Sequence, residues 1–194
     1  MRRALLVSVV AVVAVAAAVA GLFAYFADKA LSDQAEKEKE CCWAEGATPE
    51  WMSKVIGVRV PESAEDRRVG YKIGTRYDTG LLAFTLSSEE AGEYLVALNP
   101  GGAVTIDNLH PRPKDYKPDA PFARLGLPEP ETIVKGMRLG GLCPGDVDSP
   151  EGRDTNHCVD IFAHEFKPGT TRIYLRSTIE PGVSPLPSPI TSGS

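Results

Sequence analysis

The stretch Leu81-Leu82-Ala83-Phe84-Thr85-Leu86-Ser87-Ser88-Glu89-Glu90-Ala91-Gly92-Glu93-Tyr94-Leu95-Val96-Ala97-Leu98 decides the fold class. Its first six residues are a short apolar, aromatic-containing run of strand formers. Ser87 then stands three positions before Glu90, the spacing of a capping box. In that arrangement the serine hydroxyl and the glutamate carboxylate each satisfy one orphan amide of a new helix. Ala91, Tyr94, Leu95 and Leu98 follow at i, i+3, i+4 and i+7 and share one helical face. Asn99-Pro100-Gly101-Gly102 stops the helix, and 103–106 has the residues of another short strand. A strand that runs directly into a capped amphipathic helix predicts an α+β domain, with an antiparallel or mixed sheet packed by the 88–98 helix.

Upstream, Thr48-Pro49-Glu50 reads as N-cap, proline at the first helical position and acid in the first turn, with Gly57 ending the short helix. Val58-Arg59-Val60 is expected as a strand, Ser63-Ala64-Glu65-Asp66 as a helical turn, and 71–77 as a strand. Asp78-Thr79-Gly80 then makes the hairpin turn into 81–86. Downstream, 107–131 holds six prolines, a long loop that Phe122, Leu125 and Leu127 could pin to the core. The segments 157–166 and 171–178 flank Lys167-Pro168-Gly169-Thr170, a turn with hairpin residues. Val159, Ile161 and Ala163 fall on one face with Ile173 and Leu175. Asp160, Phe162, His164, Arg172, Tyr174 and Arg176 fall on the other, the expected interaction surface.

Around this domain lie an anchor, a stalk and a tail. Arg2 and Arg3 precede an apolar run over 4–27, long enough at 1.5 Å per residue to cross a hydrocarbon core of about 30 Å. All 26 acidic residues follow that run. Basic residues before the helix and acids after it set residues 1–3 on the cytoplasmic side and the rest outside. Ala18-Val19-Ala20 also fits a signal-peptide cleavage site, which would give a secreted protein, but the apolar run continues past it through Phe26. Residues 28–47, rich in Glu and Lys, form a stalk or linker. The α+β domain occupies 48–180. The Pro/Ser-rich tail, 181–194, cannot bury enough apolar surface to offset its ordering entropy and is expected to be disordered.

Pro61-Glu62-Ser63-Ala64-Glu65-Asp66-Arg67, with 82–86, 87–90 and Tyr94-Leu95, resembles a pattern in small uncharacterised membrane-anchored or secreted actinobacterial proteins. The resemblance spans about forty residues. It implies an envelope location and an α+β fold, and it brings no catalytic residues.

The chain has 194 residues, with 21 Lys+Arg against 26 Asp+Glu and a formal net charge of −5. That balance argues against a general nucleic-acid binder, which needs a basic face. Cys41, Cys42, Cys143 and Cys158 form an even set in an oxidising compartment. Cys143 with Cys158 is the favoured pair, since it staples a polar loop. Cys41 and Cys42 stay open between a vicinal bridge, an intermolecular bond, reduced thiols and a cross-link to the other two.

His157, Asp160 and His164 would share a face only on a helix. The β-branched, aromatic run 158–162 predicts a strand, on which they diverge, so no metal is expected. Asp146, Asp148, Glu151 and Asp154 lack the glycine and final glutamate of an EF-hand loop. No Gly-x-Ser-x-Gly elbow and no Walker loop occur, and Gly101-Gly102 and Gly140-Gly141 read as turns. No cofactor is expected. The sequence therefore points to a single-pass envelope protein that works by binding an envelope protein or surface component. The alternative is an envelope hydrolase using Asp/Glu or His groups.

Overall fold

The computed structural model describes residues 22, 25–27, 29, 42–99, 105–144 and 157–181. The chain divides into two units, Met1–Cys41 and Cys42–Ser194. In the first, Leu22, Tyr25, Phe26, Ala27 and Lys29 are helical and exposed. Among the described residues no helix is long and apolar enough to cross a membrane. The anchor expected over 4–27, most of the stalk and the tail beyond Pro181 lie outside the described residues.

The second unit is built on one six-stranded, wholly antiparallel sheet. Its strands are β1 (Glu65–Lys72), β2 (Asp78–Ser87), β3 (Thr105–Asp107), β4 (Met137–Leu142), β5 (Val159–Lys167) and β6 (Thr170–Ile179), in the order β1-β2-β6-β5-β4-β3. Two helices, α1 (Pro49–Ile56) and α2 (Ser88–Leu98), pack on one face. Both form where their caps predict. The Thr48 hydroxyl accepts from the Trp51 amide, and Gly57 closes α1 in the left-handed region at φ 74°. Ser87 and Glu90 complete a reciprocal capping box on α2. Met52 and Ile56 from α1, and Ala91, Tyr94, Leu95 and Leu98 from α2, bury against Leu82, Phe84, Ile161, Ile173 and Leu175.

The other sheet face carries a second core. Residues 108–136, the proline-rich segment, lie over it through two 3-10 turns, Phe122–Leu125 and Pro130–Thr132. Ala120, Phe122 and Leu127 bury there with Leu81, Ala83, Met137, Phe162 and Tyr174. Coverage on both sides explains why β2 is buried at eight of its ten positions, where a half-solvated strand would alternate.

Several local expectations give way. The segment 63–66 is not helical: a turn at Glu62 and Ser63 leads straight into β1, which begins at Glu65. Val58 makes a single bridge in place of a strand. Asp78, Thr79 and Gly80 belong to β2, and the turn sits at 73–77 instead. Asp78 is drawn inside because its carboxylate accepts from the Tyr71 hydroxyl (2.6 Å) and the Gly74 amide (3.0 Å), tying the two ends of that turn. Gly140 and Gly141 lie in β4, held between β3 and β5 by pairing that their propensity does not predict.

Burial, with Asp78 beside it, raises the pKa of the Tyr71 phenol, so its hydroxyl stays a donor. Trp51 meets the same ring edge-on at 5.2 Å. Asp78→Ala should therefore leave a buried hydroxyl without its acceptor and cost about 1–3 kcal/mol. Urea denaturation checks this, with Asp78→Asn, which keeps an acceptor, expected to lose less.

Candidate functional site

The β5–β6 register places the six residues of the expected interaction surface on one face, as the alternation requires. Asp160 pairs with Arg176, Phe162 with Tyr174, and His164 with Arg172. The central pair of that face, Phe162 and Tyr174, meets the second core, not solvent. Tyr174 is 1% exposed and Phe162 6%. Tyr174 meets Phe122 edge-on at 5.1 Å, and Arg176 is sandwiched near the rings of Phe122 and Phe162. The expectation of an open polar face is thus corrected: an aromatic pair at its centre is apolar enough to recruit the proline-rich segment as a cover.

The charged members of that face act at its margins. Arg176 pairs with Glu131 and, at 3.4 Å, with Glu129. Arg172 donates to Asp66 at 2.7 Å, and Arg68 grips the same carboxylate. Hydrogen bonding from Arg68 leads in holding Asp66 below the usual carboxylate range. His164 is pushed below the ordinary histidine value, first by burial. It lies on β5 opposite Arg172, and with β5 a strand the three-residue metal arrangement of His157, Asp160 and His164 does not form. No group of three or more His, Cys, Asp or Glu among the described residues could hold a metal ion.

Cys143 and Cys158 form a disulfide at the end of the β4–β5 hairpin, the pair favoured for stapling the polar loop between them. Cys42 is disulfide-bonded as well and sits at φ 73°. Cys41 lies outside the described residues.

A concavity remains on the helix side, where α2 does not reach across to β4 and β3. This groove, about 540 Å³, is walled by Ser88, Ala91, Gly92 and Leu95 of α2. Its opposite side is formed by Asp107, Asn108, Leu109 and the 134–138 segment, with Ala163, Glu165 and Thr171 from β5 and β6. Small residues on the helix make the space: a Cβ at Gly92 would meet nothing within 4 Å.

The walls are fixed by hydrogen bonds. Ser88 Oγ lies 3.0 Å from Thr171 Oγ1 and donates to Glu165 at 3.1 Å, while the Gly169 amide donates to the same Glu165 oxygen. Asn108, buried, donates its side-chain amide to the Ile133 carbonyl (3.1 Å), and its backbone amide to Met137. Arg138 donates to the Thr105 carbonyl. Leu109 and Val134, on the groove, are 77% and 70% exposed; Ile106, 66% exposed, pairs with Leu139 and faces the other side of the sheet.

Sequence reasoning did not find this groove. Its walls come from five separated segments, and its depth reflects a helix too narrow for the sheet. The nearest sequence signal is Leu109 and the Ile133-Val134 pair, apolar residues at the two ends of a proline-rich stretch.

Comparison with known proteins returns no match: no family model, no curated protein and no solved structure is significantly similar to the chain.

Proposed function

We propose that this chain is a membrane-anchored binding module on the extracytoplasmic side of the envelope, and that its contact site is the groove between α2 and the β3–β4 edge. The observation that carries the reading is the exposure of Leu109 and Val134 on that groove. Large apolar side chains gathered at a concavity are a mark of interaction sites. The partner is an envelope protein contributing an extended segment, because β3 ends the sheet beside the apolar rim with no strand on its outer side among the described residues. The location rests on the arginine-led apolar run over 4–27 and is supported by the Cys143–Cys158 disulfide, a bond that persists in oxidising compartments.

A photo-crosslinking residue at Val134, expressed in the full chain in intact cells, tests this. A discrete set of envelope adducts is expected, and Gly92→Trp should abolish it while leaving the melting temperature within a few degrees, because the new ring enters empty space. Adducts that persist unchanged in Gly92→Trp would remove the groove from the proposal. Val134 adducts to cytoplasmic proteins would remove the location.

A further inference from the structure

The 108–136 segment is fastened to the sheet by three cationic side chains, each from a different position on the covered face. Lys72 donates to the Asp119 carbonyl at 2.7 Å, and Arg68 donates to the Leu125 carbonyl at 2.8 Å. Arg176 holds the third point, and it differs from the others in binding carboxylates. Glu131 and Glu129 reach it from the segment itself, and Asp160 faces it from the neighbouring strand. Glu129 also accepts from the Ala123 amide at 2.8 Å, so the same carboxylate braces the first 3-10 turn.

Two carboxylates therefore pair with one guanidinium, and a third, Asp160, stands opposite it across the ladder. Side chains of Arg176, Glu129 and Glu131 are each 15% exposed or less, while Asp160 is the most exposed of the set. The Tyr174 phenol also lies near Glu129 and is itself flanked by Arg172 and Arg68, and β2 contributes Leu81 and Ala83 to this face. With all three acids ionised the cluster carries two negative charges that no described cation offsets. With two of them protonated it reduces to a matched pair.

We propose that 108–136 is a pH-gated strap, closed on the sheet in mild acid and loosened as the pH rises, with the Arg176–Glu129–Glu131–Asp160 cluster as its catch.

Both Glu129 and Asp160 are held above the usual carboxylate range in the closed arrangement, burial being the largest cause and the Glu131 charge adding to it. Opening carries Glu129 back to water, where its ordinary value returns. The closed form thus binds more protons than the open one. Its advantage is complete below the ordinary carboxylate pKa and is lost as the pH climbs through the raised values. Opening uncovers Ala83, Phe162 and Tyr174 on the sheet face opposite α2, while the two ends of the segment, Asn108-Leu109 and 134–136, also wall the α2 groove.

Hydrogen exchange on the intact chain, expressed as protection factors at pH 5 and pH 7.5, tests the strap. Protection at the Ala123, Gly126 and Leu127 amides should fall several-fold at the higher pH. Protection at Leu82 and Leu175, inside the sheet, should fall much less. Glu129→Gln keeps an acceptor for Ala123 and removes the charge, so it should hold the strap amides near their pH 5 protection at both values. Arg176→Met keeps an apolar stem between the two rings and should leave the strap open at both. Equal protection at the two pH values, a fall shared by the whole sheet, or an unaltered pH response in Glu129→Gln would each overturn the proposal.

Discussion

Phe122→Ala is expected to lower the unfolding free energy by about 3–5 kcal/mol, the usual cost of deleting a fully buried phenyl group. Phe122 has no exposed surface and is the centre of the second core, between Tyr174 on one side and the Arg176 guanidinium on the other. Removing the ring forfeits three things together. The buried area is lost, and so is an edge-to-face pair of about 0.5–1.5 kcal/mol. The third loss is the aromatic face under Arg176, worth about 0.5–2 kcal/mol where the cation is partly desolvated. These contributions overlap, so the expected total stays within the range for a buried phenylalanine. Leu125, half-buried at the end of the same turn, should cost less when truncated. Urea denaturation of both variants measures the difference. A Phe122→Ala loss below that of Leu125→Ala would show that the segment is a surface loop and not half of the core.

That distinction is where the sequence was least informative. A segment with six prolines in twenty-five residues carries no periodicity, and its apolar residues are too sparse to announce a packing face. The face it covers was legible: alternation along β5 and β6 put Asp160, Phe162, His164, Arg172, Tyr174 and Arg176 together, and the register confirms the pairing. Alternation, however, says which residues share a face and nothing about what lies over it. Capped helices were read well because caps are local chemistry, satisfied by residues within three positions of each other. The start of β1 and the whole of β4 were missed for the opposite reason. Glu65-Asp66-Arg67-Arg68 and Gly140-Gly141 have poor strand propensity, and they are extended because neighbouring strands supply their hydrogen bonds.

The β1 irregularity is instructive on this point. Its register shifts between Glu65 and Arg68, and Asp66 takes φ 44° there, a left-handed conformation that Asp tolerates better than most residues. The bulge aims the Asp66 carboxylate at Arg68 and Arg172. A four-residue window holding two acids and two arginines reads as a solvated turn. Pairing with β2 and the Arg172 contact from β6, far along the chain, make it a bulged strand end.

Removing the other long-range tie has a second large expected effect. The double variant Cys143→Ser/Cys158→Ser should lose about 3 kcal/mol, the chain-entropy value for a loop of roughly fifteen residues, matching the sequence separation of 15. The bond stands directly outside the last pair of the β4–β5 ladder, Leu142 with Val159. Both of those residues are buried in the helix-side core, so the staple is linked to packing as well as to loop closure. On the other flank β4 pairs only with three-residue β3, and its interior includes two glycines, which gain more backbone entropy on unfolding than other residues. Without the disulfide, β4 and β3 should therefore open below the global transition, and their amides should lose more protection than those of β2 and β6. Reduction of the wild-type chain also breaks the Cys42 bond, so its shift should be at least as large. If the reduced and oxidised proteins unfold at the same urea concentration with the same slope, the bond contributes nothing to the native state. The β4–β3 edge, with the groove it forms, would then have to be held by its hydrogen bonds alone.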